Sequence, residues 1–352
     1  MKKGRTLGKL AEEIERQCKS KKDYISDTTA LTMTDKGTLD LKDTGEFKIK
    51  NNAHGQLAAR LKIPKQYYDR MLENSPKLLA ENVNHWFQSN PEQRMIRTLD
   101  DEVRAFLSEK YRALDNWDLM MAALPILEEH EIDVNSSTFE VTENRLYLKA
   151  IFPHLETEIK GSPRVGDIVQ AGLCISNSEV GAGSLRIEPF IYQLWCANGC
   201  FSNIAMRKYH TGRSNGTSFE DVQEILRDET KQISDKALWM QVGDVVRTAI
   251  NQDIFQANVN KMAGTIENKI EGDSVKVVEV VQKTFNFNEG QRSDIMKHLI
   301  DGGDLSQYGL CNAVTRTAND QSDYEQATAL ERAGGKIIDL GPTEWNKLSQ
   351  TK

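Results

Sequence analysis

Between Gly172 and Arg213 the chain reads GLCISNSEVGAGSLRIEPFIYQLWCANGCFSNIAMRKYHTGR, and this stretch constrains the fold more than any other. Two apolar runs of strand length, Ile168 to Ser176 and Ser184 to Cys196, flank the Gly-rich connection NSEVGAG. That is the pattern of a β-hairpin with a long tip. Two further hairpins precede it. MIRTL and VRAFLS alternate around Asp100-Asp101, residues that tolerate the left-handed backbone of a tight turn. FEV and LYLKAIF flank Glu143-Asn144. Between the first two hairpins, Asp115 stands before a run with Trp117, Leu119, Met120, Ala123 and Leu127 at helical spacing. Strands in hairpin pairs with an interposed helix predict an α+β fold, a mostly antiparallel sheet with packed helices.

The flanking regions read as helical. Leu7 to Cys18 repeats apolar residues at helical spacing behind Thr6, a capping residue. Leu39 to Ile49 alternates weakly and predicts a short strand. Ala53 to Gln88 predicts three short helices, with Pro64 and Pro76 at first turns, where the missing N–H costs nothing. Within it, QLAARLKIPKQYYDRM has the rhythm of a helix-turn-helix, and equally that of a plain packing unit. From Phe219 onward the spacing is helical, with a short strand expected at Val275–Val281 and a final one at Lys336–Leu340. Gly334-Gly335 reads as the C-cap between them. Three regions result: a helical part over 1–90, an antiparallel sheet core with one covering helix over 91–216, and a mainly helical part over 217–352. The boundary between the last two falls in the polar run Gly212–Ser218.

Charge is uneven. The chain carries a formal −7, yet residues 217–352 hold 15 basic and 22 acidic residues while residues 1–216 hold 30 of each. Positive charge in the first part therefore matters through local clusters. The five cysteines form no CxxC, and Met1-Lys2-Lys3 opens no signal peptide, which points to a reduced cytoplasm. No apolar run reaches the roughly 18 residues of a membrane span, so no membrane association is expected.

Several chemistries can be weighed against the residues. Cys196, Cys200 and His210 lie close, with Cys174 on the facing strand, but Cys-x3-Cys is not a zinc spacing. No metal or cofactor is expected. GAGSLR lacks the Lys-Ser/Thr of a phosphate loop and leads into a strand, so Gly181 and Gly183 serve a turn. Asp100, Asp101, Glu102, Glu179 and Glu188 sit near hairpin tips and keep a metal-dependent nuclease open as an alternative. The stronger pattern is cationic. Arg97, Arg104, Lys110 and Arg112 fall on the first hairpin and its exit, beside Tyr111 and Trp117. Arg186, Arg207, Lys208, His210 and Arg213 fall on the third hairpin and its exit, beside Trp195, Phe201 and Tyr209. Cations that follow phosphates, interleaved with rings that stack bases, are what single-strand binding requires.

The stretches IRTLDDEVRAFLSEKYRALDN, GLCISNSEVGAGSLRIEPFIYQLWCANGC, MRKYHTGR and YGLCNAVTRTANDQSDYEQATALERAGGKI resemble the phage- and plasmid-encoded family of unknown function number 932. The resemblance runs from about Gly55 to Leu340. It implies a mobile-element protein acting in replication, recombination or defence evasion. The hairpin–helix–hairpin order is also compatible, more remotely, with Rad52-like single-strand annealing proteins, which assemble into rings or filaments. The resulting expectation is a non-catalytic, cytoplasmic, homo-oligomeric protein that binds single-stranded DNA and anneals it without ATP. Its contacts would be Arg97, Arg104, Lys110, Arg112, Arg186, Trp195, Arg207, Lys208, Tyr209, His210 and Arg213. The alternative reading is an interaction protein that engages host replication proteins or inhibits a host defence enzyme.

Overall fold

The computed structural model describes residues 1–202, 205–208 and 228–351. The chain enters through α1 (Leu7–Ser20), where the Thr6 hydroxyl accepts the Lys9 amide hydrogen at 3.3 Å. Four short strands follow: β1 (Lys22–Asp27), β2 (Leu31–Met33), β3 (Leu39–Leu41) and β4 (Gly45–Ile49). Then come α2 (Asn51–Arg60), α3 (Lys65–Asn74) and α4 (Pro76–Ser89), and the hairpin of β5 (Gln93–Leu99) and β6 (Glu102–Ser108). These strands make one six-stranded sheet in the order β1-β5-β6-β4-β3-β2. Its pairs are antiparallel except β4 with β6. Leu57, Tyr68, Leu79, Val83 and Phe87 of the three helices share one core with Leu31, Ile96, Val103 and Phe106 of the strands. At the hairpin tip Asp100 and Asp101 both adopt positive φ, 53° and 58°, as their residue types allow.

A second sheet begins after α5 (Asn116–Glu129). Its strands are β7 (Thr138–Val141), β8 (Leu146–Glu158), β9 (Ile168–Asn177), β10 (Leu185–Gln193), β11 (Asn198–Phe201) and β12 (Met206–Lys208). The order is β11-β10-β9-β8-β7, with β12 also pairing the first residues of β10. Strand residues alternate faces, so the two sides separate by parity. Leu146, Leu148, Ala150, Leu173, Ile175 and Ile187 join Leu10 and Ile14 of α1, Leu119 and Ala123 of α5, and Val242 and Val246 of α6 (Asp228–Ala249) in the largest core. Tyr147, Cys174 and Phe190 take the other face with Phe201 and Tyr324.

The rest of the chain is helical: α7 (Gln252–Ala263), α8 (Ser274–Phe285), α9 (Glu289–Gly302), α10 (Gln307–Asp320), α11 (Tyr324–Ile338) and α12 (Pro342–Ser349). Helix α11 lies on the second face of the second sheet through polar groups as well as rings. The fully buried Lys149 Nζ lies 2.5 Å from Glu331 and donates to Thr328 Oγ1 at 2.9 Å. Burying both charges is tolerable because each meets the other in low dielectric. No described helix is long and apolar enough to cross a membrane.

The α+β class, the hairpins and most helices agree with the sequence reading. Several elements do not. Residues 1–90 contain four strands, and the first hairpin pairs with β1 and β4, so a boundary at residue 90 would cut a sheet. The three hairpins therefore occupy two sheets, not one. Val275–Val281 is helical: Asp273 caps Val275, and Val277, Val278 and Val281 bury one helical stripe despite their β-branched side chains. Lys336–Ile338 end α11 instead of opening a strand, Asp339 is its C-cap, and Gly334 and Gly335 lie inside that helix. They are glycines because neighbours come close. A Cβ on Gly335 would stand 1.8 Å from the Phe201 carbonyl oxygen, and one on Gly334 would stand 2.2 Å from Thr315. The boundary proposed at Gly212–Ser218 lies outside the described residues.

Candidate nucleic-acid interface

The connection between β9 and β10, Ser178 to Ser184, is the junction of the two sheets. Its backbone carbonyls have few partners within the loop and are bonded from outside it. Arg97 Nη1 donates to Glu179 O at 2.9 Å, and the Tyr111 hydroxyl donates to Ser178 O at 3.0 Å. Asn52 and Gln56 of α2 both donate to Val180 O, at 3.1 and 2.7 Å, and Arg145 donates to Ala182 O. The Glu179 side chain works in the other direction. It accepts the Asn116 amide at 2.7 Å, capping α5, and receives Arg104 at 2.8 Å. Gly181 has φ 74°, and a Cβ there would stand 2.7 Å from Leu107, so the residue is fixed twice over as glycine.

At the β10 end of this loop four cations gather. Arg186 and Arg207 are cross-strand partners, and both Nε atoms donate to the Ser184 hydroxyl, at 3.2 and 3.4 Å. The Arg145 guanidinium lies against Gly183, and Arg332 arrives from α11. Arg332 grips Glu188 with its fork and donates to Ser176 at 3.2 Å. Burial works against the charge of Arg332, but Glu188 outweighs it and its pKa stays above the ordinary arginine value. Arg186 shows the opposite balance. Half-burial first, and then Arg332, Arg207 and Arg145, lower its pKa, with Glu188 3.8 Å away only partly offsetting them. A cross-strand pair of like charges is unfavourable by itself. An anion at this rim would relieve it. Arg207 and Lys208 are exposed and Arg145 and Arg186 half-buried, so solvent reaches the cluster.

The residues expected to contact nucleic acid divide accordingly. Arg186 and Arg207 stand together in the rim, and Lys208, paired with Leu185, is exposed on the same edge strand but on the opposite face. Lys110 is exposed and Arg112 half-buried on the segment that Tyr111 pins to the tip of the third hairpin at Ser178. Arg97 does not reach the surface. It is fully buried, forked on Asp23 at 2.8 and 3.0 Å and paired with Asp115 at 2.8 Å. Arg104 is likewise buried and bonded to Glu179. Both expectations are corrected: these two arginines hold the junction loop. Asp115 meets Arg97 and Lys21, which overcome its burial and keep its pKa below the usual carboxylate value. Tyr209, His210 and Arg213 lie outside the described residues.

Trp195 is 73% exposed, at the far end of β10, with the Arg164 guanidinium 5.3 Å from its ring centre. Seven residues of strand, Ile187–Gln193, lie between Arg186 and the turn that carries it, about 23 Å at ~3.3 Å per residue. Arg145, Arg164 and Arg332 were missed by the sequence reading. Arg145 follows a turn already recognised and was legible there. Arg332 carries no local signal, because only the docking of α11 brings it to the rim.

Four of the five carboxylates that suggested a nuclease, Asp100, Glu102, Glu179 and Glu188, are engaged. Arg16 and then Ser20 bond to Asp100 and lower its pKa, Glu179 caps a helix, and Glu188 is held by Arg332. Among the described residues no group of three or more His, Cys, Asp or Glu side chains is placed to hold a metal ion. Cys174, Cys200 and Cys311 are core, and the last two have their Sγ atoms 3.4 Å apart. Comparison with protein-family models, curated proteins and solved structures finds no match for this chain.

Proposed function

We propose that this protein binds single-stranded DNA at the arginine rim and brings complementary strands together without a nucleotide cofactor. The observation that carries the reading is the convergence of Arg145, Arg186, Arg207 and Arg332 around Ser184, where half-burial and then the neighbouring arginines work against the charge of Arg186. Phosphates would neutralise them, with release of counterions as the driving term. Lys110 and Arg112, on the neighbouring segment, extend the same surface. Annealing requires the backbone to be held and base edges left free, and guanidinium contacts to phosphate do that. Trp195 with Arg164 offers a stacking surface at a distance, worth ~1–3 kcal/mol for a base seated there.

Assembly into a ring or filament would multiply contacts that are individually weak. The strand-annealing role, the homo-oligomer and the mobile-element setting rest on the resemblance of the quoted motifs, and a cytoplasmic location on the unpaired cysteines. The acidic C-terminal part would limit non-specific binding or engage a host protein. The test is equilibrium binding of a fluorescent oligonucleotide at low salt, single-stranded against duplex. Tighter binding of the single strand supports the reading, and no binding at low salt refutes it.

A further inference from the structure

A cavity of about 220 Å³ lies between the two sheets, on the side of the junction loop facing α1. Its walls are α1, the Leu99–Asp100 hairpin tip, β6, the start of α5, and the Thr142–Arg145 turn. Water occupies ~30 Å³ per molecule in the liquid, so a small organic molecule fits. Arg104 reaches into this space from β6, with 7% of its side chain exposed. Its Nη1 bonds to Glu179, while its buried Nε and Nη2 have no hydrogen-bond partner. Arg145 Nε, a donor, and Asn144 Oδ1, an acceptor, are buried and unpartnered on the same wall.

The unused edge of Arg104 is informative. Nε–H and Nη2–H of a guanidinium point the same way and match the two oxygens of one carboxylate. This chain uses that edge repeatedly. Arg16 places it on Glu13, Arg60 on Glu92, Arg97 on Asp23 and Arg332 on Glu188. On Arg104 the same edge is buried and unpartnered, in a residue that lines the cavity. The lining residues include four cations and four carboxylates, so the walls are balanced overall and suit a single negative charge better than a polyanion.

We infer that this cavity is a binding site for a small carboxylate, held side-on by Nε and Nη2 of Arg104 with Arg145 Nε as a further donor. The site shares only Arg145 with the proposed DNA rim, and its anchor, Arg104, is not part of that rim. Asn144 provides the sharpest probe. Asn144→Asp is nearly isosteric and turns an acceptor on the cavity wall into a second negative charge. Arg104→Lys retains a cation for Glu179 and removes the planar edge.

The experiment is thermal unfolding of the full chain in sodium acetate against sodium chloride at matched ionic strength, with inorganic phosphate as a third arm. Wild type should gain stability saturably with acetate. The half-saturating concentration should rise at least tenfold in Asn144→Asp, and the gain should vanish in Arg104→Lys. Arg207→Glu/Lys208→Glu should respond as wild type does. If Arg104→Lys does not fold, Asn144→Asp decides alone. An acetate response equal in wild type and Asn144→Asp would be general salting and would overturn the proposal. So would the absence of any response in wild type, or a response to phosphate but not to acetate.

Discussion

Replacing Arg97 by methionine separates its structural role from the one its sequence position suggested. The substitution keeps most of the apolar stem and removes a fully buried guanidinium. Three acceptors lose a donor: Asp23, Asp115 and the Glu179 carbonyl. Removing one member of a buried pair typically costs ~3–5 kcal/mol. Here the figure belongs near the lower end. Asp23 is 34% exposed and can rehydrate, and Asp115 keeps Lys21. The Glu179 carbonyl adds about 1 kcal/mol for a lost hydrogen bond, giving roughly 3–4 kcal/mol in all. Urea unfolding followed by circular dichroism measures the loss. Oligonucleotide affinity of the variant, measured under conditions where it is fully folded, should stay within about twofold of wild type. A stability loss below ~1 kcal/mol combined with a tenfold drop in affinity would refute the reasoning and return Arg97 to the phosphate-contacting set.

Three further outcomes follow from local features. His54 is buried against the Tyr68 hydroxyl, and burial followed by Lys65 lowers its pKa to about 4 from 6.5. The unfolded chain binds its proton first, so stability present above pH 6.5 should fall as pH drops toward 4, by about 3 kcal/mol at most from this group. His54→Gln should flatten urea unfolding midpoints across that window, and an unchanged slope would count against it. Gly335→Ala gains up to about 1 kcal/mol of helix propensity but drives a Cβ into the Phe201 carbonyl. The net should be a loss of roughly 2 kcal/mol in thermal or urea unfolding. Finally, the half-buried Cys18 and Cys196 should react with a chromogenic disulfide reagent in the native protein, while Cys174, Cys200 and Cys311 react only on unfolding. Burial raises the Cys174 pKa to about 12, so little thiolate is available at neutral pH.

What the sequence revealed was local. Hairpin tips carried their own turn residues, as at Asp100-Asp101, and helix starts their own caps, as at Thr6. What it hid was non-local. β1 shows no apolar alternation, and its place beside β5 is held by a side chain, Asp23 to Arg97, 74 residues apart. Val275–Val281 misleads because β-branched propensity is overridden by a buried helical stripe. Gly334-Gly335 imitates a helix end because the same residue serves for turning and for close packing. In the candidate interface, Arg186, Arg207 and Lys208 were visible as a cluster. That Arg97 and Arg104 turn inward was not, since a cation on a strand looks the same whether it meets solvent or Asp23.

Salt dependence of binding reads the charge at the rim directly. Each phosphate neutralised on a single strand contributes about −0.7 to the slope of log K against log salt. Arg145, Arg186, Arg207 and the adjoining Lys208, taken as four phosphate contacts, predict a slope near −3. In Arg207→Glu/Lys208→Glu the slope should weaken by about 1.4 with affinity reduced and the fold intact by circular dichroism. A double variant with the wild-type slope, or a wild-type protein whose binding is insensitive to salt, would contradict the account.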